Sequence, residues 1–364
     1  MPSTNYLQYL GLDHVFAERT KEILNINPTV LPVREEAAAV RVFVYDYNGD
    51  SLEKRELPEV RECIKYRENN RISWINIDGL RKADVELICN EFNIHNLIAE
   101  DILSINQRPK MDEVDDILFC LLNMLYFNEK NSTVEYEQIS IVLGKDFVIS
   151  FQEDADRDVF DPLREKLNNA NTKIRHRGAD YLCYTMLDMI VDNYFFVMEK
   201  LGEKIEVVED EIARSTSKYS LIKINALKKE LLVLKRNTTP LRELVNGFVH
   251  SESELLEDRT SKYFKDVYDH IVQASDLVEN YRDMMISMQD LYINNVNLRM
   301  NEVMKVMAIV TCLMAPATVI GGIFGMNFDR IPYLHNKYGF FIAVALMLFV
   351  PLWMLWGFKR KGWF

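Results

Sequence analysis

Two stretches near the C-terminus carry no charged side chain. Residues 306–328 read VMAIVTCLMAPATVIGGIFGMNF and residues 338–358 read YGFFIAVALMLFVPLWMLWGF. At about 1.5 Å per residue, each makes a helix roughly 30 Å long, the thickness of the hydrocarbon core of a bilayer. A pair of buried helices in a soluble protein is the competing reading, but such helices seldom run this far without a charge. The pattern predicts a transmembrane hairpin. Lys359, Arg360 and Lys361 follow the second stretch, with Trp363 beside them as an interfacial anchor. A basic flank favours the cytoplasmic side, so both termini are expected inside and the loop between the stretches outside. Arg330 and Lys337 in that loop make the bias moderate.

Upstream, the pattern changes twice. From about residue 40 to 155, short β-branched and aromatic runs (RVFVYDY, ISWINI, EQISIVL, FVISFQ) mix with amphipathic stretches such as KADVELICNEF. This predicts an α/β domain with a mixed sheet. From residue 157 onward the strand signals stop. Residues 184–215 and 219–248 read as long helices, with Leu227, Leu231, Leu234, Leu241 and Leu244 at three-to-four spacing and Pro240 as an expected kink. A third helix is predicted to start near Thr260 and run unbroken into the first apolar stretch, roughly 95 Å in all. The expected division is 1–156 for a cytoplasmic α/β domain, 157–300 for a helical region with a stalk helix, and 301–327 for a first membrane helix. An external loop at 328–337, a second membrane helix at 338–358 and a basic tail at 359–364 follow.

The last long helix carries a stripe. Asp290, Asn294, Asn297, Asn301, Met304, Ala308, Thr311, Ala315, Thr318, Gly322 and Gly325 recur at steps of three and four, so they share one line along the helix. Nearly all are small or polar, whereas the flanks carry Val303, Val306, Ile309, Val310, Leu313, Val319 and Ile320. Two readings remain open. The seam is a close helix–helix contact through small residues, or it lines a water-filled path where several copies meet in a closed ring. The seam has no Lys or Arg, and helix C-termini converging at the outer mouth would favour cations.

Composition narrows the function. Forty-three Lys and Arg against 55 Asp and Glu give a net charge of −12, which argues against nucleic acid as a partner. The 48% of apolar residues exclude a disordered chain. Five cysteines without a C-x-x-C pair read as buried free thiols, Cys120 and Cys312 among them. The first residues, MPSTNYLQYLGLDHVF, do not read as a secretory signal. No P-loop, G-x-S-x-G or H-E-x-x-H motif stands in the chain, so an enzyme is not expected. A non-conducting membrane anchor for a cytoplasmic sensor is a further alternative, opposed by the polar seam.

At the outer end of the seam stands Gly325-Met326-Asn327. This tripeptide, closing the first of two C-terminal apolar segments ahead of a basic tail, resembles the CorA family of magnesium channels. Residues 301–328 resemble the pore helix of that family nearly throughout. The segments AEDILSINQRPK (99–110), FQE (151–153), DVFDP (158–162) and DVYDH (266–270) resemble family segments in the same order. The likeness is weakest over the first forty residues and around 212–260.

The resemblance implies an α+β membrane protein: a cytoplasmic α/β/α domain with a mixed sheet, long stalk helices and two C-terminal transmembrane helices, assembled as a ring-shaped homopentamer in the inner or plasma membrane. It implies passive influx of Mg2+, with Co2+ and Ni2+ as further cargo, and Mg2+ as both transported and regulatory ion. Asn327 amides would select the hydrated ion. Thr318, Met304 and Asn301 fall at pore-lining positions, Met304 and Met307 at an apolar constriction, and Asn297 and Asp290 continue the path inward. Ala315 departs from the bulky methionine expected there. Tyr333 follows Pro332 where the family often has an acid, leaving Asp329 as the acid of the loop. For gating, the resemblance places Asp101 of one subunit opposite Asp266 of its neighbour, with Glu100 and Asp188 as a companion site. Facing carboxylates repel unless a divalent cation lies between them. The acidic run Glu203, Glu206, Glu209, Asp210 and Glu211 reads as a solvated face, and His95 and His270 as structural. A zinc transporter of the same superfamily is the nearest rival; Met326 favours magnesium.

Overall fold

The computed structural model describes residue 34 and residues 36–67, 69–105, 107–154, 157–214, 217–326 and 337–362. It divides into two compact units, residues 1–289 and 290–364.

In the first unit, continuous apolar runs become strands buried on both faces. β5 (Ile117–Asn128) and β6 (Thr133–Leu143) form a long antiparallel pair, with Leu118 opposite Leu143 and Asn128 opposite Thr133. β1 (Arg41–Tyr47), β2 (Leu52–Leu57), β3 (Ile72–Asp78), β4 (Lys110–Val114) and β7 (Phe147–Gln152) complete a sheet in the order β2-β1-β3-β7-β6-β5-β4. The β3–β7 pairing is parallel, with Trp74 opposite Val148, and the remaining pairs are antiparallel. This is the mixed sheet the sequence predicts. The two edge strands, LEKREL and KMDEV, were not legible as strands. An edge strand faces water on one side and is kept polar and charged against further pairing, so it has no apolar run to read.

Helices cover both faces. On one, Val42, Val44, Ile75, Ile77, Phe119, Leu121, Val142 and Ile149 share a core with α1 (Lys82–Glu91), α2 (Asn96–Leu103) and a 3-10 turn at Val60–Tyr66. On the other, α4 (Ala179–Arg214) and α5 (Lys218–His250) lie against β5 and β6, following the short α3 (Asp161–Asn168). Tyr194 of α4 donates its hydroxyl to the Asn123 carbonyl at 2.6 Å, and Asn123 donates to Asn237 of α5 at 2.7 Å. Such bonds satisfy polar groups the helices bury, which would otherwise cost about 1–3 kcal/mol each. Trp74 is wholly buried, stacked on Tyr45 at 4.8 Å, edge-on to Phe160 and bonded to Ser150 Oγ at 2.9 Å. Helix α5 continues through Pro240. Helix α6 runs from Asp258 to Phe324 without interruption, as the absence of a breaker after Thr260 predicts.

The second unit is the later part of α6 with α7 (Gly339–Arg360). The pair packs through small and aliphatic residues: Ile309 and Ala343 are buried, and Gly321 approaches Met347 closely enough that a Cβ there would stand 3.6 Å from its Cε. On α7 the enclosed residues Gly339, Ala343, Met347, Val350 and Met354 recur at four and three, one face of a helix. Both helices are long and apolar enough to cross a membrane.

The thiols need one correction. Cys63, Cys89, Cys120 and Cys183 are buried and free, but Cys312 is exposed. It lies on the side of α6 that α7 does not cover, so an apolar neighbourhood in sequence does not bury it within the chain. Burial pushes the Cys63 and Cys89 thiols up to about 12, which makes them inert.

Candidate functional site: the seam of α6 and the carboxylates of the first unit

On α6, Ile309, Leu313, Pro316, Ala317 and Ile320 are the residues enclosed by the hairpin. At about 100° per residue they lie on the side opposite Met304, Ala308, Thr311, Ala315, Thr318 and Gly322. Every seam position from Asp290 to Gly325 is exposed in the chain, including Asn297, Asn301 and Met304. The seam is therefore not a contact between α6 and its own α7. Met307, beside it, is 67% exposed. Thr311 and Thr318 donate their hydroxyls to the carbonyls of Met307 and Met314 at 2.9 and 3.0 Å. Their protons are thus committed to the helix, and the hydroxyl oxygens face outward as acceptors.

The helix closes at Phe324. Gly325 N–H donates to the Gly321 carbonyl at 2.9 Å and Met326 N–H to that of Ile323 at 3.4 Å. Gly325 is the first residue past the helix, but it does not take the left-handed conformation common for a glycine there. Among the described glycines only Gly79 and Gly362 adopt positive φ. What favours glycine at 325 is space, since a Cβ there would lie 3.0 Å from the Gly321 oxygen. Asn327, Asp329, Arg330, Pro332, Tyr333 and Trp363 lie outside the described residues, as does most of the loop expected at 328–337. Lys359 and Arg360 form the last turn of α7, and Lys361 is its C-cap.

The carboxylates lie in the first unit. Glu100 and Asp101 stand on α2, where Glu100 is exposed. Asp101 accepts from Lys110 Nζ at 2.6 Å and from Gln107 at 3.2 Å. Lys110 also reaches Asp112 at 3.2 Å. Burial works against the charge on Lys110, but the bonds to Asp101 and Asp112 outweigh it and hold its pKa above that of an ordinary lysine. Asp101 is thus already paired within the chain, and a divalent cation approaching it competes with Lys110.

Asp188 of α4 meets a partner that the sequence reading set aside. Packing of Tyr184 and Phe248 on Phe264 brings α4, α5 and α6 together. One ligand atom each from Asp188, Asp192 and His270 then falls within 4.8 Å of the others. Burial, then the Asp192 carboxylate, pushes the Asp188 carboxyl above its usual range. Tyr184 hydroxyl sits 3.4 Å from Asp188. His270 Nδ1 is buried with no partner, and Phe195 abuts the ring edge-on. Asp266, one helical turn before His270, is exposed. One ring nitrogen of His270, which the sequence reads as structural, and two carboxylates thus stand close enough to serve as a donor set for a cation. Two oxygens and a nitrogen suit a first-row transition ion better than Mg2+, which prefers oxygen alone. The signal in the sequence was the i, i+4 spacing of Asp188 and Asp192, which puts both carboxylates on one face of α4.

Comparison with known proteins agrees with this architecture. The family model described as CorA-like Mg2+ transporter protein matches residues 69–360. The cobalt/magnesium transport protein CorA of Thermotoga maritima is 36% identical over 88% of this chain and 91% of its own. The zinc transport protein ZntB of Vibrio parahaemolyticus is more distant, 23% identical over 79% of this chain and 88% of its own. The complete structure of the CorA magnesium transporter from Methanocaldococcus jannaschii superposes with a TM-score of 0.75 over 89% of this chain and 98% of that one, at 22% identity, which speaks to the fold. A family model spanning most of the chain, the matching fold and the two apolar C-terminal helices make this a membrane protein of the CorA-like Mg2+ transporter family.

Proposed function

We propose that this protein is a passive channel for hydrated Mg2+, with Co2+ and Ni2+ as further cargo, formed by a homopentameric ring of α6 helices in the inner or plasma membrane with both termini in the cytoplasm. The observation that carries the reading is the seam of α6, uncharged from Asn294 to Gly325, which along the apolar stretch lies opposite the face packed on α7 and so is free to meet other copies. Mg2+ gives up its waters reluctantly, so a path lined by weak acceptors passes the ion with its shell. Thr318 and Thr311 oxygens, Asn301, Asn297 and Asp290 supply acceptors along the path. Met304 and Met307 form a constriction that blocks ions when it dries. At the outer mouth, Gly325 and Met326 present Asn327, whose neutral amide binds the hydrated ion weakly enough to release it. Ala315 leaves the middle of the path wide.

Regulation belongs to the carboxylates. Asp101 and Asp266 of neighbouring subunits, with Glu100 and Asp188 beside them, take up internal Mg2+ and hold the ring closed. Loss of the ion shifts the population towards open. Lys110 moderates repulsion at Asp101 when no ion is present. Asp192 and His270 extend the Asp188 site towards Co2+ and Ni2+.

Uptake into liposomes holding the purified full chain tests the proposal, with Mg2+, Co2+, Ni2+ and Zn2+ in competition and hexaammine cobalt as a mimic of hydrated Mg2+. Asn327→Ala is expected to abolish Mg2+ uptake while the oligomer persists, and block by hexaammine cobalt is expected in the parent. Normal transport by Asn327→Ala contradicts the selectivity assignment. Zn2+ uptake that excess Mg2+ does not compete with supports the alternative, a zinc transporter of the same superfamily.

A further inference from the structure

The cytoplasmic end of α7 carries chemistry the ion path does not use. Trp353, Gly357 and Lys361 follow one another at i, i+4 and i+8, and Trp356 and Arg360 run beside them, so the five share one face. Arg360 lies over the Trp356 ring, 5.6 Å from its centroid. Trp353 and Trp356 are 64% and 60% exposed. One residue after Trp356, Gly357 leaves a notch: a methyl group there would meet nothing within 4 Å. The notch opens into a shallow groove of about 220 Å3 lined by Trp353, Met354, Trp356, Phe358 and Lys361. The segment from Gly339 to Gly362 contains three cations and no acidic residue. The helix itself thus offers these cations no acidic partner, and at a bilayer surface the abundant anion is a lipid phosphate.

We propose that this face is a binding site for an anionic phospholipid. The phosphate group sits against Arg360 and Lys361, and the upper acyl chain and glycerol lie in the notch at Gly357 and along the two tryptophans. The general preference of basic residues for the cytoplasmic side is satisfied by cations on any face of the helix. It does not call for the notch, the exposed ring pair or the guanidinium held over Trp356. Lys359 provides the contrast: about 200° round the helix from Gly357, it lies on the far side. The site rests on α7 crossing the bilayer and is independent of what passes along α6.

Quenching of tryptophan fluorescence by brominated phospholipids tests it. The full chain in a Trp363→Phe background is placed in phosphatidylcholine vesicles containing brominated phosphatidylglycerol or, separately, brominated phosphatidylcholine. Trp74, buried in the cytoplasmic unit, gives a constant signal. The expected result is preferential quenching by phosphatidylglycerol. Arg360→Gln and Lys361→Gln are each expected to lower that preference about fivefold, the effect of one cation at an anionic surface. Lys359→Gln, with the same change in charge, is expected to leave it within about twofold. Gly357→Leu, which fills the notch with every charge kept, is expected to lower it as well. Equal quenching by the two lipids in the parent, or a loss in Lys359→Gln as large as in Arg360→Gln, overturns the proposal. The readout is lipid contact, so an absence of ion flux would not bear on it.

Discussion

The two units of this chain obey opposite rules of exposure. In the first, Phe119, Leu121 and Trp74 are wholly buried. In the second, Phe340 and Leu348 are 74% and 64% exposed, and charges are confined to the ends. The first unit excludes water from its apolar surface by packing against itself. The second has no such core, because its solvent on that side is lipid. The proposed function divides in the same way. Carboxylates and an imidazole gather where water and packing can position them, and the membrane helix keeps only neutral polar groups, on one edge.

Substitutions that exchange the two rules should have the largest effects. Phe119→Ala removes a buried ring and is expected to cost about 3–5 kcal/mol, read as a fall in the melting temperature of the full chain in detergent. Leu348→Ala, on lipid-facing α7, is expected to change stability by less than about 0.5 kcal/mol. Leu348→Asp places a charge in the hydrocarbon at about 3 kcal/mol and should show as lost membrane insertion. If Leu348→Ala proves as costly as Phe119→Ala, the face of α7 opposite α6 is packed on protein and not on lipid.

A smaller effect concerns a buried acid of the first unit. Burial pushes the Glu137 carboxyl up to about 7, although it accepts backbone N–H groups from Glu153 and Asp154 at 2.8 Å. The folded state therefore binds this proton more tightly than the unfolded chain. The contribution to stability is fully present below the ordinary glutamate pKa and is lost as pH rises through about 7. Thermal melts from acid to mild alkali should show a decline of at most about 2–3 kcal/mol from this group. Glu137→Gln should flatten that part of the slope, and an unchanged slope assigns the titration elsewhere.

The smallest effect sharpens the metal chemistry. His270→Ala removes the nitrogen donor beside Asp188 and Asp192. Stabilisation of the protein by Co2+, followed as a thermal shift against ion concentration, should weaken by roughly tenfold or more. Stabilisation by Mg2+ should change little, because Mg2+ relies on oxygen donors. Equal losses for both ions would make His270 a packing residue.

The membrane half was the most legible in the sequence. Its elements are long, and a step of three and four residues over more than thirty positions fixes a face without tertiary information. The central strands RVFVYDY, ISWINI, EQISIVL and FVISFQ were legible for the same reason, through continuous apolar runs. LEKREL and KMDEV were hidden because edge strands read like loops. The carboxylate sites were only partly visible. His270 looked isolated because its partners stand some eighty residues away on α4 and meet it only when Phe264 seats between Tyr184 and Phe248. The pairing of Asp101 with Lys110 depends on the register of β4 against α2, which no local pattern encodes.

The central claim is that one edge of α6 faces water across the membrane while equally exposed neighbours face lipid or protein. Single cysteines introduced into a Cys312→Ser chain in liposomes, and treated with a charged, water-soluble thiol reagent, test it directly. Thr311→Cys, Ala315→Cys and Thr318→Cys are expected to react, and Mg2+ in excess to slow them. Val306→Cys and Ile323→Cys, 57% and 50% exposed at those positions in the isolated chain, are expected to stay unmodified. Reaction at 306 and 323 with silence at 311, 315 and 318 would mean that water follows another face of the helix, or none.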